Sequence, residues 1–115
     1  MLLERKELRD EETQELFYEA LFDSSNIMKS IYLPGKKMLF IIFKKGVVYS
    51  YASVDAELYV GFENSDSQGV YFSKNIAKNP NCTYFREYKL YEFEKKDMLK
   101  LIEEQKQLLE EKNKS

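Results

Sequence analysis

Two apolar runs, Met38 to Lys45 and Val47 to Val54, are rich in β-branched and aromatic residues and meet at Lys44-Lys45-Gly46, a pattern that predicts a β-hairpin. Side chains alternate across a strand, so Leu39, Ile41 and Phe43 share one face and Phe40 and Ile42 the other. Both faces are apolar, and the strand is therefore expected at the centre of a sheet, covered on both sides. In its partner, Tyr49 and Tyr51 point together, opposite Val48, Ser50 and Ala52. Upstream, Ile27 to Leu33 reads as a short strand ended by the Pro34-Gly35 turn, where proline fixes φ and glycine accepts the positive φ that follows.

Helical spacing dominates elsewhere. Leu8, Leu16, Phe17, Ala20, Leu21 and Phe22, set among Glu and Arg, predict an amphipathic helix over residues 2–21, stopped by Asp23-Ser24-Ser25-Asn26. Asp55 is placed to cap a helix running to about Asn64, with Leu58, Tyr59 and Phe62 as its buried stripe. After a loop from Ser65 to Gly69, Val70 to Lys78 predicts a second short helix with Tyr71, Phe72 and Ile76 inward, ended by Asn79-Pro80-Asn81. Thr83 to Glu94 reads as a strand or extended arm, with Tyr84, Arg86 and Tyr88 on one side and Phe85, Glu87, Lys89, Tyr91 and Phe93 on the other. Beyond it Met98, Leu101, Ile102, Gln105, Leu108 and Leu109 recur every three or four residues, the spacing of a coiled-coil seam. About two heptads is too short to stand alone, so this helix needs either the first helix or a second copy of the chain. The expected architecture is α+β: a three- or four-stranded antiparallel sheet with two short helices on one face and amphipathic helices at both termini. Its parts are an N-terminal helix (1–23), a central domain (24–93) and a coiled-coil-like C-terminal helix (94–115).

A chain of 115 residues is about one domain long. Its net charge of −2 disfavours nucleic acid taken alone, but the charge is unevenly spread. Residues 1–23 hold three basic and eight acidic groups, residues 24–93 nine and six, and residues 94–115 six of each, so the middle is mildly basic and the front acidic. Cys82 is the only cysteine, which excludes an intrachain disulfide; it reads as an inert small residue. The start breaks into charge after Leu2-Leu3, unlike a signal peptide, and the longest apolar run, Met38 to Phe43, is far short of a membrane span. A cytoplasmic location is expected.

Histidine is absent, which removes the usual general base and the commonest metal ligand. The four glycines, at 35, 46, 61 and 69, do not make a phosphate loop. Glu57, Glu63 and Asp66 read as solvated surface charge. No catalytic residue, cofactor or metal is expected, and the chemistry points to a binding module.

One ordered series of residues carries a resemblance. Ser24-Ser25-Asn26-Ile27, Ile31-Tyr32, alternating Leu39, Ile41 and Phe43, Gly46, Tyr49-Ser50-Tyr51, Val54, Tyr59, Phe62, Ser67, Gly69, Tyr71-Phe72 and Asn75-Ile76 resemble a KTSC domain over about residues 24–88. That family is named after the C-terminal extension of some lysyl-tRNA synthetases and includes stand-alone bacterial and phage proteins marked by a central Tyr-x-Tyr. Ser65, the sequence Ser30-Ile31-Tyr32 and both terminal segments depart from its pattern. The resemblance implies the α+β fold and, through the link to a tRNA enzyme, RNA as a ligand.

The residues leave three functional readings open. Single-stranded RNA could stack on Tyr49 and Tyr51, with Lys36, Lys37, Lys44 and Lys45 tracking phosphates; alternatively both tyrosines pack under the helices and the lysines are solvated turns. Tyr84, Arg86 and Tyr88 could stack on bases or on a protein, or form a core-facing edge strand. Ser67 and Gly69 open the second short helix, where Ser67 is either a plain N-cap or part of an anion site. Protein interaction is the second reading, with a homodimer through Met98, Leu101, Gln105 and Leu108, or a phage or mobile-element factor that modulates a host protein. Capture of a nucleotide or signal molecule in an aromatic pocket is the third.

Overall fold

The doubly apolar run Met38–Phe43 lies inside a sheet and is covered on both faces. The structure, a computed structural model, describes residues 1–114, with side chains to Lys112. Among these residues six strands follow one another across a single antiparallel sheet: β1 (Leu2–Arg9), β2 (Leu16–Phe22), β3 (Ile27–Leu33), β4 (Met38–Phe43), β5 (Val47–Tyr51) and β6 (Tyr84–Lys89). Between β5 and β6 the chain forms α1 (Ala56–Glu63) and α2 (Gln68–Phe72), the latter continued by a π turn over Ser73–Ala77. The long helix α3 (Glu92–Lys114) follows β6.

The two faces of β4 explain the two helical layers. Leu39 and Ile41 are fully buried on the face that carries α1 and α2, among Phe22, Ile27, Tyr32, Tyr51, Val54, Tyr59, Phe62, Phe72 and Ile76. Ile42, with Phe40 half-buried beside it, points to the opposite face, where Leu3, Leu21, Met28, Val48 and Leu90 receive Met98, Ile102 and Leu109 of α3. The coiled-coil-like seam therefore finds its partner within the chain, on the second face of the sheet. Leu101 and Leu108 lie off that contact and are each 50% exposed.

The N-terminal segment is a β-hairpin and not the amphipathic helix that its apolar spacing predicts, so the sheet has six strands where three or four were expected. Its reversal is built by Asp10, whose Oδ1 accepts the backbone N–H groups of Glu12 and Thr13 at 2.9 Å, while Gln14 adopts a φ of 62°. Those two bonds hold the Asp10 carboxyl below the usual carboxylate range. No glycine or proline announces the turn. In β2, Ala20 and Phe22 reach the α1 side while Leu21 reaches the α3 side, and the ladder to β3 pairs Tyr18 with Tyr32 and Ala20 with Ser30. Burial on two faces and a long-range ladder outweigh the helix preference of Glu, Leu and Ala.

Local chemistry agrees with the other elements. Asp55 caps α1 by accepting the Leu58 N–H at 2.9 Å, and Ser67 caps α2 by accepting that of Val70. Gly46, at φ 91°, closes the β4–β5 turn. Gly61 lets α2 approach α1, since a Cβ there would collide with the Tyr71 phenol.

The core on the α1 side is aromatic. The Tyr32 and Tyr59 rings stack at 4.1 Å between centroids, and the Tyr32 hydroxyl donates to the Val54 carbonyl at 2.7 Å. Phe62 meets Phe22 edge-on, as Phe72 meets Tyr51. Burial pushes the Tyr51 phenol up to about 12. Burial also raises Tyr32, with Asp55 adding to it, and raises Tyr59, with Glu63 adding to it.

Two expectations follow. Ile102→Ala should destabilise the fold by about 2–5 kcal/mol, whereas Leu101→Ala should stay within about 0.5 kcal/mol, as read by urea unfolding; equal effects would mean that α3 is not seated as described. The fold holds its buried tyrosines as neutral phenols, so their stabilisation is complete below pH 10, the ordinary phenol value, and is lost as pH rises through the higher folded values. The urea midpoint should therefore fall between pH 10 and about 12. A midpoint that stays constant across this window would contradict the burial of these rings.

Candidate functional site

The β4–β5 turn, the outer half of β5 and the end of α2 meet at one corner of the α1 side. Tyr49 is half-buried there, edge-on to Phe43 at 6.0 Å and 6.2 Å from the ring of Tyr84. The β5–β6 register sets Arg86 beside Tyr49 and Tyr84 beside Tyr51. A groove of about 410 Å³ runs along Tyr49, lined also by Lys44, Lys45, Phe43, Val47, Ser25 and Asn26. Ser25 and Asn26 form one wall of a second depression of about 400 Å³, lined by Ser67, Gly69, Val70, Ser73, Lys74 and Lys78. The two hollows thus share a rim, present four lysines and have no carboxylate in their walls. Neither Lys74 nor Lys78 stands out from the sequence as a site residue. Their signal is the four-residue spacing on the second helix, which turns both ammonium groups to one side.

Other sequence candidates lie apart from this corner. Lys36 and Lys37 occupy the β3–β4 turn, at the far end of β4 and about 20 Å from Lys44 and Lys45 at the rise of a strand. Lys36 pairs with Glu15 at 3.7 Å, and the Lys37 carbonyl accepts the Val54 N–H at 2.8 Å. Tyr51 points to the same face as Tyr49 but is only 6% exposed, sealed by Phe72, and offers no free ring face.

Strict alternation fails in β6. An irregularity between Val48 and Tyr49 leaves Glu87 as an extra residue, so Tyr88 pairs with Val48 and lies on the α3 side with Phe85. Tyr84 and Arg86 remain on the side of Tyr49, and Tyr88 is not in their company as alternation predicts. The Glu87 carboxylate accepts a hydrogen bond from the Ser50 hydroxyl at 2.6 Å, which fills the slack of the bulge. The whole of β6 is exposed, as an outer strand and not a core-facing one.

At the second hollow Ser67 acts as an N-cap, and Gly69 lies against Asn26, whose Oδ1 would be 2.8 Å from a Cβ. Among the seam residues, Met98 packs on the sheet, Gln105 is half-buried, and Leu101 and Leu108 face outward. Burial, with the Asp55 charge adding to it, raises the thiol of buried Cys82 and weakens it as a nucleophile.

Glu63 departs from the solvated charge that its sequence context suggests: it is 4% exposed. Its carboxylate lies 2.8 Å from Nε of Arg5, whose guanidinium sits 4.4 Å from the Tyr18 ring centroid. An ion pair reaching from β1 to the end of α1 needs both of these elements in place, which sequence spacing does not express. Among the described residues no group of His, Cys, Asp and Glu could hold a metal ion, and no helix is long and apolar enough to cross a membrane.

No curated protein matches the chain. A solved KTSC domain protein from Yersinia pestis is similar in fold, with a TM-score of 0.53 and 19% sequence identity over 74% of this chain and 100% of that one. The sequence profile of the KTSC domain matches residues 23–79, the stretch from the start of the β2–β3 turn to the end of α2 and its π turn. That stretch holds β3, β4, β5, α1 and α2, while the N-terminal hairpin, β6 and α3 are built onto it. Over residues 23–79 this chain belongs to the KTSC domain family.

Proposed function

We propose that the chain is a binding module whose ligand is single-stranded RNA, held at the corner where Tyr49, Arg86, Lys44 and Lys45 meet. The observation that carries this reading is one half-exposed tyrosine ring set beside a guanidinium and two lysines, in walls free of carboxylates. An aromatic face accepts any base by stacking, worth roughly 1–3 kcal/mol per base, and flanking cations release counterions from the phosphates. Tyr84, 6.2 Å from Tyr49 and 64% exposed, provides a second platform. Lys74 and Lys78 carry the cationic track around the rim past Ser25 and Asn26. Tyr51 has no part in stacking, because its ring is enclosed, and Lys36 and Lys37 stand too far away to follow the same strand.

The overall charge of −2 does not oppose this. The acidic segment forms the β1–β2 hairpin, at one edge of the sheet, and the candidate site is at the other. The local field, and not the net charge, steers a polyanion.

Titration of labelled single-stranded RNA, followed by fluorescence anisotropy at two salt concentrations, tests the proposal. Affinity should fall steeply with salt. Tyr49→Ala should weaken binding about tenfold, and Lys44→Ala with Lys45→Ala should lower the salt slope by about 0.7 for each phosphate no longer neutralised. Tyr51→Phe and Lys36→Ala should bind as the parent does. Absence of binding at low salt would refute the reading.

A further inference from the structure

The polar side chains around the depression beside the Tyr49 groove are of one chemical kind. Ser25 and Asn26 come from the β2–β3 turn, Ser67 from the cap of α2, and Ser73, Lys74 and Lys78 from the π turn and the residue that ends it. Gly69 brings α2 close to the turn, since a Cβ there would come 2.8 Å from the Asn26 Oδ1. The Asn26 carbonyl accepts the Lys44 N–H at 2.8 Å, so the wall that the two hollows share is tied to the β4–β5 turn.

Every one of these six side chains can donate a hydrogen bond into the hollow. Ser67 Oγ accepts the Val70 N–H and keeps its own proton free. Asn26 Oδ1 accepts from the Ser24 hydroxyl, and its NH2 group is left without a partner among the described residues. The Ser25 and Ser73 hydroxyls and the Lys74 and Lys78 ammonium groups likewise have no hydrogen-bond or ion-pair partner among the described residues.

Hydroxyl and amide donors gathered with two positive charges, and with no carboxylate, select an anion rich in oxygen. A phosphate monoester fits: it carries about −1.5 to −2 charge at pH 7 and three strong acceptor oxygens, a match for the lysine pair and the donors around it. An internal phosphodiester carries a single charge and is flanked by sugar on both sides, so it follows a cationic track but cannot enter a hollow end-on. A carboxylate brings a single charge and only two oxygens, too few for this set of donors.

We propose that this hollow is a site for a phosphate monoester and, resting on the RNA reading above, that the group it holds is the terminal phosphate of the strand whose base stacks on Tyr49. The wall common to both hollows, Ser25 and Asn26, sets the two groups side by side.

One RNA sequence, labelled internally and prepared with hydroxyls at both ends, with a phosphate on its first nucleotide or with a phosphate on its last, separates the end from the track. One of the phosphorylated strands should bind about tenfold tighter than the hydroxyl-ended strand. Lys74→Gln with Lys78→Gln should abolish that preference, as should Ser73→Asp, which sets a carboxylate into the wall. Tyr49→Ala should weaken all the strands alike and preserve it. The hollow is also read without RNA: inorganic phosphate titrated at constant ionic strength should give saturating amide shifts in the NMR spectrum at Ser25, Ser67 and Ser73, lost in the double lysine variant. Circular dichroism checks that each variant is folded. Equal affinity for all the strands would overturn the assignment of the strand end and leave the RNA reading standing. If no strand binds but phosphate titrates the hollow, the RNA reading falls and the phosphate site stands. Phosphate that shifts nothing there, or shifts it equally in the lysine variant, would overturn the site itself.

Discussion

A central strand that is apolar on both faces cannot be satisfied by a single helical layer. β4 imposes this condition: Leu39 and Ile41 demand cover on one side and Ile42 and Phe40 on the other. The residues matched by the family profile cover the first face with α1 and α2. Ile102, Met98 and Leu109, outside the matched residues, cover the second. The hairpin β1–β2 widens the floor on which α3 lies, contributing Leu3 and Leu21. The additions at either end of the KTSC domain thus complete one three-layered unit.

Aromatic packing settles the roles of the tyrosines. On the α1 side, Tyr32 and Tyr59 stack inside the core and Tyr51 is sealed by Phe72, while Tyr49, one step further along β5, escapes the helical cover. The two tyrosines of the Tyr-x-Tyr pair point the same way, yet one is a core residue and the other rims a groove. Sheet order adds an electrostatic polarity. The acidic hairpin occupies one edge and the basic corner adjoins the other, so charges that nearly cancel in composition are separated in space.

The fold and the site were legible to different degrees. Where local chemistry is sufficient, sequence and structure agree: Asp55 caps α1, Gly46 closes the hairpin, and the apolar run of β4 is central. They part over residues 2–21, where Glu, Leu and Ala favour a helix and the Asp10 turn carries neither glycine nor proline. At the site, Tyr49, Lys44 and Lys45 lie within a few residues of one another and could be grouped from sequence. Lys74, Lys78 and Arg86 could not, because α1, α2 and the return of β6 bring them to that corner.

The amino-acid order alone determined the β4–β5 hairpin and its glycine turn, the capping of α1 by Asp55, and that histidine is absent. Only the tertiary structure decided that the first segment is a hairpin, that Glu63 is buried against Arg5, and that a bulge at Glu87 parts Tyr88 from Arg86. The physical reason is range. Caps, turns and alternation are interactions among near neighbours, whereas strand pairing, two-sided burial and ladder irregularities are settled by partners far along the chain.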